Sequence, residues 1–502
     1  MSDRVRIQLG PLGQVLEVER GAPLQDILFD YGVEFPCGGQ GDCRGCRVKL
    51  LSGELPVTAE EAAILLPEEI AAGWRLACRN RAEADLRLEI AQWEAVILGD
   101  TRAFEFTPQE GLGMAVDLGT TTLVAQLLDL ETGNVLGVRS ALNPQAAWGS
   151  DIMSRVEYAG APDNAARLTE SIRARIGEMA AELVGSARAD GRVRHVVVVG
   201  NTVMHHLFCG VDVEPLSHVP FQPVRDGLEL FRASELGWAL STDPPVRFLP
   251  CLGGFVGSDI LAGILATRMQ ESPALVMLID LGTNGEIVVG NRERMVCAST
   301  AAGPAFEGGR ISMGMRAATG AISEVKLAGG RLACHVLGGG PPRGICGSGL
   351  VDAVATGLET GTIAPNGRLA TDTGRWMLEP PVSLTQADIR ELQLAKAAVA
   401  AGVRILLRRW GAGEEDVSRL YLAGAFGNYI NQASARRIGL IGFAEQKVEP
   451  AGNTALLGAK LALFQAGSEL EFAAVRRRVE HISLASDPEF QEIYADEMRF
   501  PE

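Results

Sequence analysis

Apolar and polar residues alternate along Val5 to Leu9 and Leu16 to Glu19, the period-two pattern of a hairpin with one buried face. A short helix is predicted over Pro23 to Tyr31, then a Gly-rich loop from Phe35 to Gly45. Arg47 to Leu51 and Leu86 to Ile90 read as two further strands. Thr101 to Gly113 contains Pro108 and ends in Gly-Leu-Gly, the composition of a linker. From Met114 strands and helices alternate, which is an α/β signature. Leu384 to Leu407 carries apolar residues at helical spacing behind Thr385, a suitable N-cap, and predicts one long packed helix.

The α/β part contains an internal repeat. Met114-Ala-Val-Asp-Leu-Gly-Thr-Thr-Thr122 is echoed by Leu278-Ile-Asp-Leu-Gly-Thr-Asn-Gly-Glu286. Each copy ends an apolar strand, turns at a glycine and enters a second strand, Leu123 to Leu128 or Ile287 to Val289. So long a period predicts two facing lobes of like topology rather than a solenoid. In each hairpin the glycine lets phosphate oxygens approach the backbone, and the threonine hydroxyls and N–H groups can donate to them. Asp117 and Asp280 are placed to hold a magnesium ion or its water. A single Asp-x-Gly-Thr is equally compatible with a plain tight turn; two copies at strand ends are far more specific.

Composition narrows the classes. The 502-residue chain is 47% hydrophobic with a net charge of −16, which suits sizeable cores and disfavours nonspecific nucleic-acid or anionic-membrane binding. No apolar run reaches the ~18 residues of a membrane helix. The start, Met1-Ser-Asp-Arg, lacks a basic-then-apolar signal pattern. Nine cysteines, an odd number in an acidic chain, argue against a disulfide framework and for a cytoplasmic location.

Three of those cysteines form Cys37-Gly-Gly-Gln-Gly-Asp-Cys43-Arg-Gly-Cys46, and a fourth follows at Cys78. Three thiolates in one loop plus one distant is the arrangement of a [2Fe–2S] site, whereas zinc more often takes two C-x-x-C pairs. Zinc, or four buried thiols, is the alternative reading. The segment resembles the β-grasp [2Fe–2S] ferredoxins over residues 1–98, including the longer first gap of adrenodoxin-like members. That resemblance implies Cys37, Cys43, Cys46 and Cys78 as cluster ligands.

The two hairpins resemble phosphate-1 and phosphate-2 of the ASKHA superfamily of acetate and sugar kinases, heat-shock chaperones and actin. Leu422-Ala-Gly-Ala-Phe-Gly-Asn428 follows an apolar strand and resembles its adenosine motif, with Gly424 and Gly427 admitting the nucleoside. Gly452 to Lys460 mimics a Walker loop but has the wrong spacing, and reads as a helix start. The expected organisation is a ferredoxin-like domain (1–98), a linker (99–113) and an ASKHA ATPase domain (114–502), with lobes near 114–270 and 271–470. By this resemblance Gly119, Thr120, Thr121, Thr122, Gly282, Thr283, Asn284, Gly424 and Gly427 bind ATP, and Asp117 and Asp280 are catalytic.

Other positions are weighed on their own residues. Gly200 to Thr202 could line the interlobe cleft at a helix start, while the adjacent His205 and His206 face different directions on a helix and read as structural. Ala302-Gly-Pro-Ala-Phe-Glu-Gly308 and Gly344-Ile-Cys-Gly-Ser-Gly-Leu350 suit either cleft contacts or close helix packing. Cys209, Cys251, Cys297, Cys334 and Cys346 lack ligand spacing and read as small buried apolar residues, with Cys346 in a Gly-rich loop.

A [2Fe–2S] domain joined to an ASKHA ATPase, together with these strings, resembles the reductive activators of corrinoid enzymes over nearly the whole chain. The resemblance implies ATP-driven transfer of an electron from the cluster to a corrinoid protein of a methyltransferase system, returning Co(II) to Co(I). It also implies Mg²⁺ and an upstream low-potential electron donor, and leaves a homodimer open. Two departures stand out. The stretch between Cys78 and Asp117 is too short for the intermediate domain of some members, and no cysteine follows Cys346 to build a C-terminal [4Fe–4S] site. A small-molecule kinase and a nucleotide-switched electron carrier, each with a ferredoxin domain, are the competing readings.

Overall fold

A computed structural model describes residues 3–10, 14–29, 33, 46–90, 106–186, 192–317, 320–337, 340–427, 430–464 and 469–502. The N-terminal alternation becomes a five-stranded sheet in the order Gln14–Glu19, Arg4–Gly10, Leu86–Ile90, Arg47–Ser52, Trp74–Leu76. Arg4–Gly10 pairs antiparallel with Gln14–Glu19 and parallel with Leu86–Ile90, so this strand lies inside the sheet. Val5, Ile7 and Leu9 point into a core shared with Leu24 and Leu28 of helix Leu24–Phe29 and with Val48, Leu76 and Leu88. This is the expected ferredoxin-like domain. The period-two reading did not find the three-residue strand Trp74–Leu76 or the short helices Ala59–Ile64 and Pro67–Ala71 before it.

The repeat in sequence is a repeat in topology. In the first lobe, Val135–Leu142, Thr122–Asp129 and Leu112–Leu118 form an antiparallel meander, and Val193–Gly200 and Pro245–Phe248 then add in parallel. In the second, Met295–Thr300, Gly285–Gly290 and Val276–Leu281 form the meander, and Arg419–Ala423 and Val448–Gly452 add in parallel. The lobes differ in the sixth strand: Glu229–Arg232 extends the parallel edge of one, and Val479–His481 the meander edge of the other. The first strand begins at Leu112, two residues inside the expected linker, and the preceding Phe106 packs on Phe464 with ring centroids 4.4 Å apart.

Two helices fill the space between the sheets, Ser258–Thr267 and Thr454–Phe464. They touch backbone to backbone, because a Cβ on Gly458 would sit 2.1 Å from the Ala262 carbonyl oxygen. One apolar cluster runs through both, from Ala115 and Val197 of the first sheet to Leu278 and Ala423 of the second. The long helix spans Gln386–Trp410; Leu384 belongs to the preceding strand Val382–Thr385. The boundary is set by a capping box, in which the Thr385 hydroxyl accepts from the Asp388 N–H and the Asp388 carboxylate accepts from the Thr385 N–H. Among the described residues no helix is long and apolar enough to cross a membrane.

Candidate functional site

Both hairpins open onto one cleft of about 310 Å³ between the lobes. Strands Leu112–Leu118 and Val276–Leu281 each end on the Asp-Leu of an Asp-Leu-Gly-Thr turn, so the topology delivers Asp117 and Asp280 to the same place. Gly119 N–H donates to the Thr122 carbonyl at 3.1 Å, and a Cβ on Gly119 would lie 2.5 Å from that oxygen, so the turn requires glycine. The hydroxyls of Thr121 and Thr283 approach to 3.4 Å across the cleft. Thr283 donates to Glu307 Oε1 at 3.1 Å, and Thr121 to Glu307 Oε2 at 3.5 Å. Asn201 donates to Thr120 Oγ1 at 2.9 Å, and Arg316 to Thr122 Oγ1 at 3.3 Å.

The sequence-predicted residues fall as follows. Asp117, Gly119, Thr120, Thr121, Thr122, Asp280, Gly282, Thr283, Asn284 and Gly424 all line the cleft. Gly427 is not among the lining residues; it packs on Leu422, whose Cγ would be 3.2 Å from an added Cβ. In its place Phe426 faces the cleft, stacked on Phe306 with centroids 4.7 Å apart at 21°. Both Gly-rich strings contribute: Phe306 and Glu307 from one, Cys346, Gly347 and Ser348 from the other. Asn201 lines the cleft too, as the N-cap of helix Thr202–Cys209. His205 and His206 on that helix are fully buried, with ring nitrogens 3.2 Å from the Gly227 carbonyl and 2.8 Å from the Thr202 carbonyl. Burial pushes both down, His205 to about 4, so they are neutral packing residues.

Sequence reasoning missed Asp259 and the role of Asn453, which begin the two interlobe helices. Gly257 packs so tightly on Gly200 that a Cβ would sit 2.2 Å from its carbonyl oxygen, and this close approach brings Asp259 into the cleft. Asn453 donates to Asp117 Oδ2 at 2.9 Å while its own Oδ1 accepts from the Leu456 N–H. The long sequence distances involved left no local signal.

Electrostatically the cleft is crowded with acids. Burial, more than the neighbouring carboxyls, raises Asp280 to about 7 and Asp259 to about 8; burial raises Asp117 to about 6 against the lowering effect of Asn453. Glu286, directly opposite Asp280 in the hairpin, is raised well above its ordinary value by burial, then by Asp259 and Asp280. Arg316 is the one basic residue among the described lining residues. So many oxygen donors with so little positive charge fit a hydrated divalent cation. No three His, Cys, Asp or Glu side chains among the described residues converge closely enough to ligate an ion directly.

At the other end of the chain, Cys46 and Cys78 lie with Sγ atoms 3.3 Å apart. Pairing of Arg47–Ser52 with Trp74–Leu76 and the Ala77 N–H donating to the Cys46 carbonyl bring them together. Tetrahedral metal–thiolate bonds of about 2.3 Å span roughly 3.7 Å between sulfurs, so the pair is spaced to share one metal ion. The buried Glu61 fixes this turn, accepting from the Leu76 N–H and the Asn80 side chain, each at 2.6 Å. Cys37 and Cys43 lie outside the described residues.

Comparison with known proteins agrees with this geometry. Residues 7–83 match the 2Fe-2S iron-sulfur cluster binding domain, residues 112–272 the RACo middle region, and residues 274–502 the C-terminal domain of RACo, the ASKHA domain. The chain is 36% identical over 434 residues to the corrinoid activation enzyme RamQ of Eubacterium limosum, covering 80% of this chain and 73% of that one. It is 27% identical over 424 residues to the [Co(II) methylated amine-specific corrinoid protein] reductase of Methanosarcina barkeri, covering 77% of each. A solved structure titled a reductive activator for corrinoid, iron-sulfur protein superposes with a TM-score of 0.71 at 27% identity, covering 99% of this chain and 98% of that one. A cluster-binding domain, a two-lobed ASKHA cleft and this extent of likeness place the chain in the RACo family of corrinoid activators.

Proposed function

We propose that the chain is an ATP-dependent reductive activator that passes one electron to the cobalt of a corrinoid protein, converting Co(II) to Co(I). The observation that carries this reading is the meeting of the two Asp-x-Gly-Thr hairpins, Thr121 against Thr283, in a chain whose first domain brings Cys46 and Cys78 together. The names of the similar RamQ and reductase proteins supply the substrate class. A [2Fe–2S] cluster held by Cys37, Cys43, Cys46 and Cys78 would supply the electron, at a potential near ~−400 mV for plant-type centres. Co(I) lies lower still, so the transfer runs uphill and needs ATP hydrolysis to change which partner state is favoured. An upstream low-potential donor must then restore the electron.

In the cleft, Thr121, Thr122 and Thr283 with the turn N–H groups hold the phosphates, and Gly119 and Gly282 let them approach. Thr120, tied to Asn201, fixes the first hairpin, and Asn284 completes the second. Phe306, Phe426 and Gly424 offer an apolar wall for the base. Magnesium arriving with ATP would be held through water by Asp117 and Asp280, supplying the positive charge that lets these acids ionise. Asn453 keeps Asp117 oriented, and Asp259 is the group positioned to take a proton from an attacking water. The test mixes the reduced protein with corrinoid proteins poised as Co(II) and follows the visible spectrum. Co(I) should appear only with Mg-ATP; ATP turnover with no Co(I) across a broad panel would overturn the reading.

A further inference from the structure

The loop that walls the nucleotide cleft also touches the cluster-bearing domain. Met315, Arg316 and Ala317, with Cys346, Gly347 and Ser348, form one side of the cleft. The two segments are laced by backbone hydrogen bonds: Ile345 N–H to the Met313 carbonyl, Met315 N–H to the Ile345 carbonyl, Arg343 N–H to the Gly320 carbonyl and Cys346 N–H to the Ile322 carbonyl. Met315, Ala321 and Cys346 pack together beneath them. Arg343 therefore cannot shift without its load reaching the cleft wall. Its side chain lies across Gly320, where a Cβ would be 2.7 Å from the Arg343 Cδ.

From that position Arg343 reaches the first domain twice. Its guanidinium forms an ion pair with Glu89, both side chains about one-quarter exposed (27% and 23%). Its carbonyl accepts from Arg47 Nη2 at 3.4 Å. Arg47 directly follows the cluster ligand candidate Cys46, is buried, pairs with Glu69 at 3.0 Å and lies over the Trp74 ring. A short covalent and hydrogen-bonded path thus runs from Cys46 through Arg47 and Arg343 to Cys346 in the cleft wall.

We propose that Arg343 is a positioning residue that seats the cluster-bearing domain on the wall of the nucleotide cleft, so that seating and nucleotide binding favour one another. This rests on the nucleotide reading given above. Linkage makes the coupling reciprocal: if the seat firms the wall for ATP, ATP firms the seat by the same factor. Release of the spent nucleotide then loosens the cluster-bearing domain, which can move between an upstream donor and the corrinoid partner.

The test uses the full-length protein with its cluster loaded, as judged by its visible absorption. Arg343→Glu, Glu89→Arg and the double exchange are titrated with Mg-ATP, and amide hydrogen exchange of residues 86–90 is followed with and without it. Each single variant should weaken Mg-ATP binding by about fivefold and lose ATP-dependent protection of 86–90; the double variant should recover both to within about twofold. Glu89→Arg lies in the other domain, so misfolding of the second lobe cannot mimic its effect. Wild-type affinity in both single variants, or no ATP-dependent protection of 86–90 in the wild type, overturns the coupling while leaving the nucleotide reading intact. Failure of the wild type to bind Mg-ATP overturns both.

Discussion

Replacing Gly424 by alanine tests whether the adenosine-motif turn and the second phosphate hairpin are one mechanical unit. Gly424 has φ +86°, and its added Cβ would lie 2.5 Å from Asp280 Oδ1 and 2.6 Å from the Leu281 carbonyl oxygen. The left-handed backbone alone costs an L residue about 1–2 kcal/mol. Overpacking adds about 1–3 kcal/mol, and relief comes most easily by displacing the Asp280 carboxyl, since the carbonyl belongs to a paired strand. If about 2 kcal/mol of this falls on the cleft, Mg-ATP affinity drops roughly 30-fold. Gly361→Ala is the control, because it has φ +71° and open space around its Cβ, so it carries the backbone cost without the clash. Calorimetric titration with Mg-ATP and thermal melts of both variants separate the two contributions. Equal ATP affinity in Gly424→Ala, Gly361→Ala and wild type would refute the idea that this turn sets the position of Asp280.

Three further outcomes are expected. Glu61→Ala strips the Leu76 N–H and the Asn80 amide of a buried acceptor, at about 1–3 kcal/mol each. Its cluster absorption should be lost at lower temperature than in wild type while the ATPase lobes melt unchanged. Asp259→Asn should lower ATP turnover by about 10²-fold or more, measured as released phosphate. The same variant should raise the melting temperature of the nucleotide-free protein, and more so at pH 8 than at pH 6. The sign follows from Asp259 being raised from 3.8 to about 8 by burial and by Asp280 and Asp117. Its contribution to stability is full below about pH 4 and is lost as the pH climbs toward 8, where asparagine carries no such loss. Comparing variant with wild type at each pH cancels the opposite trend of His205 and His206, whose lowered values favour the folded state as pH rises.

What was legible in the sequence was whatever chemistry had been written locally. The Asp-Leu-Gly-Thr turns carry their own glycine requirement and strand ends, so both hairpins and the two-lobe repeat could be read directly. The spacing of Cys37, Cys43, Cys46 and Cys78 points to a metal or cluster site, the ferredoxin resemblance makes it a [2Fe–2S] site, and the structure describes only the Cys46–Cys78 half of it. Asp259 was illegible because it is one acid in the apolar run that follows Gly257; it reaches the cleft only through the backbone contact of Gly257 with Gly200. Arg316 and Asn453 likewise act across the lobe interface, and no local period encodes that. Resemblance to the adenosine motif points to Gly427 as well as Gly424, but the short helical turn Gly424–Gly427 sets Gly427 on Leu422 and Phe426 at the cleft. Trp74–Leu76 is too short for alternation to register, although it carries the chain to Cys78.

The most direct test of the whole account is a rapid-mixing experiment on the reduced holoprotein and a Co(II) corrinoid protein, started by Mg-ATP. Cluster reoxidation and Co(I) formation are recorded at their separate wavelengths. The account predicts equal rates, one electron lost for each Co(I) formed, and both signals absent without ATP or in Asp280→Asn. Co(I) formation at the same rate without ATP, or cluster reoxidation that yields no Co(I), would contradict it.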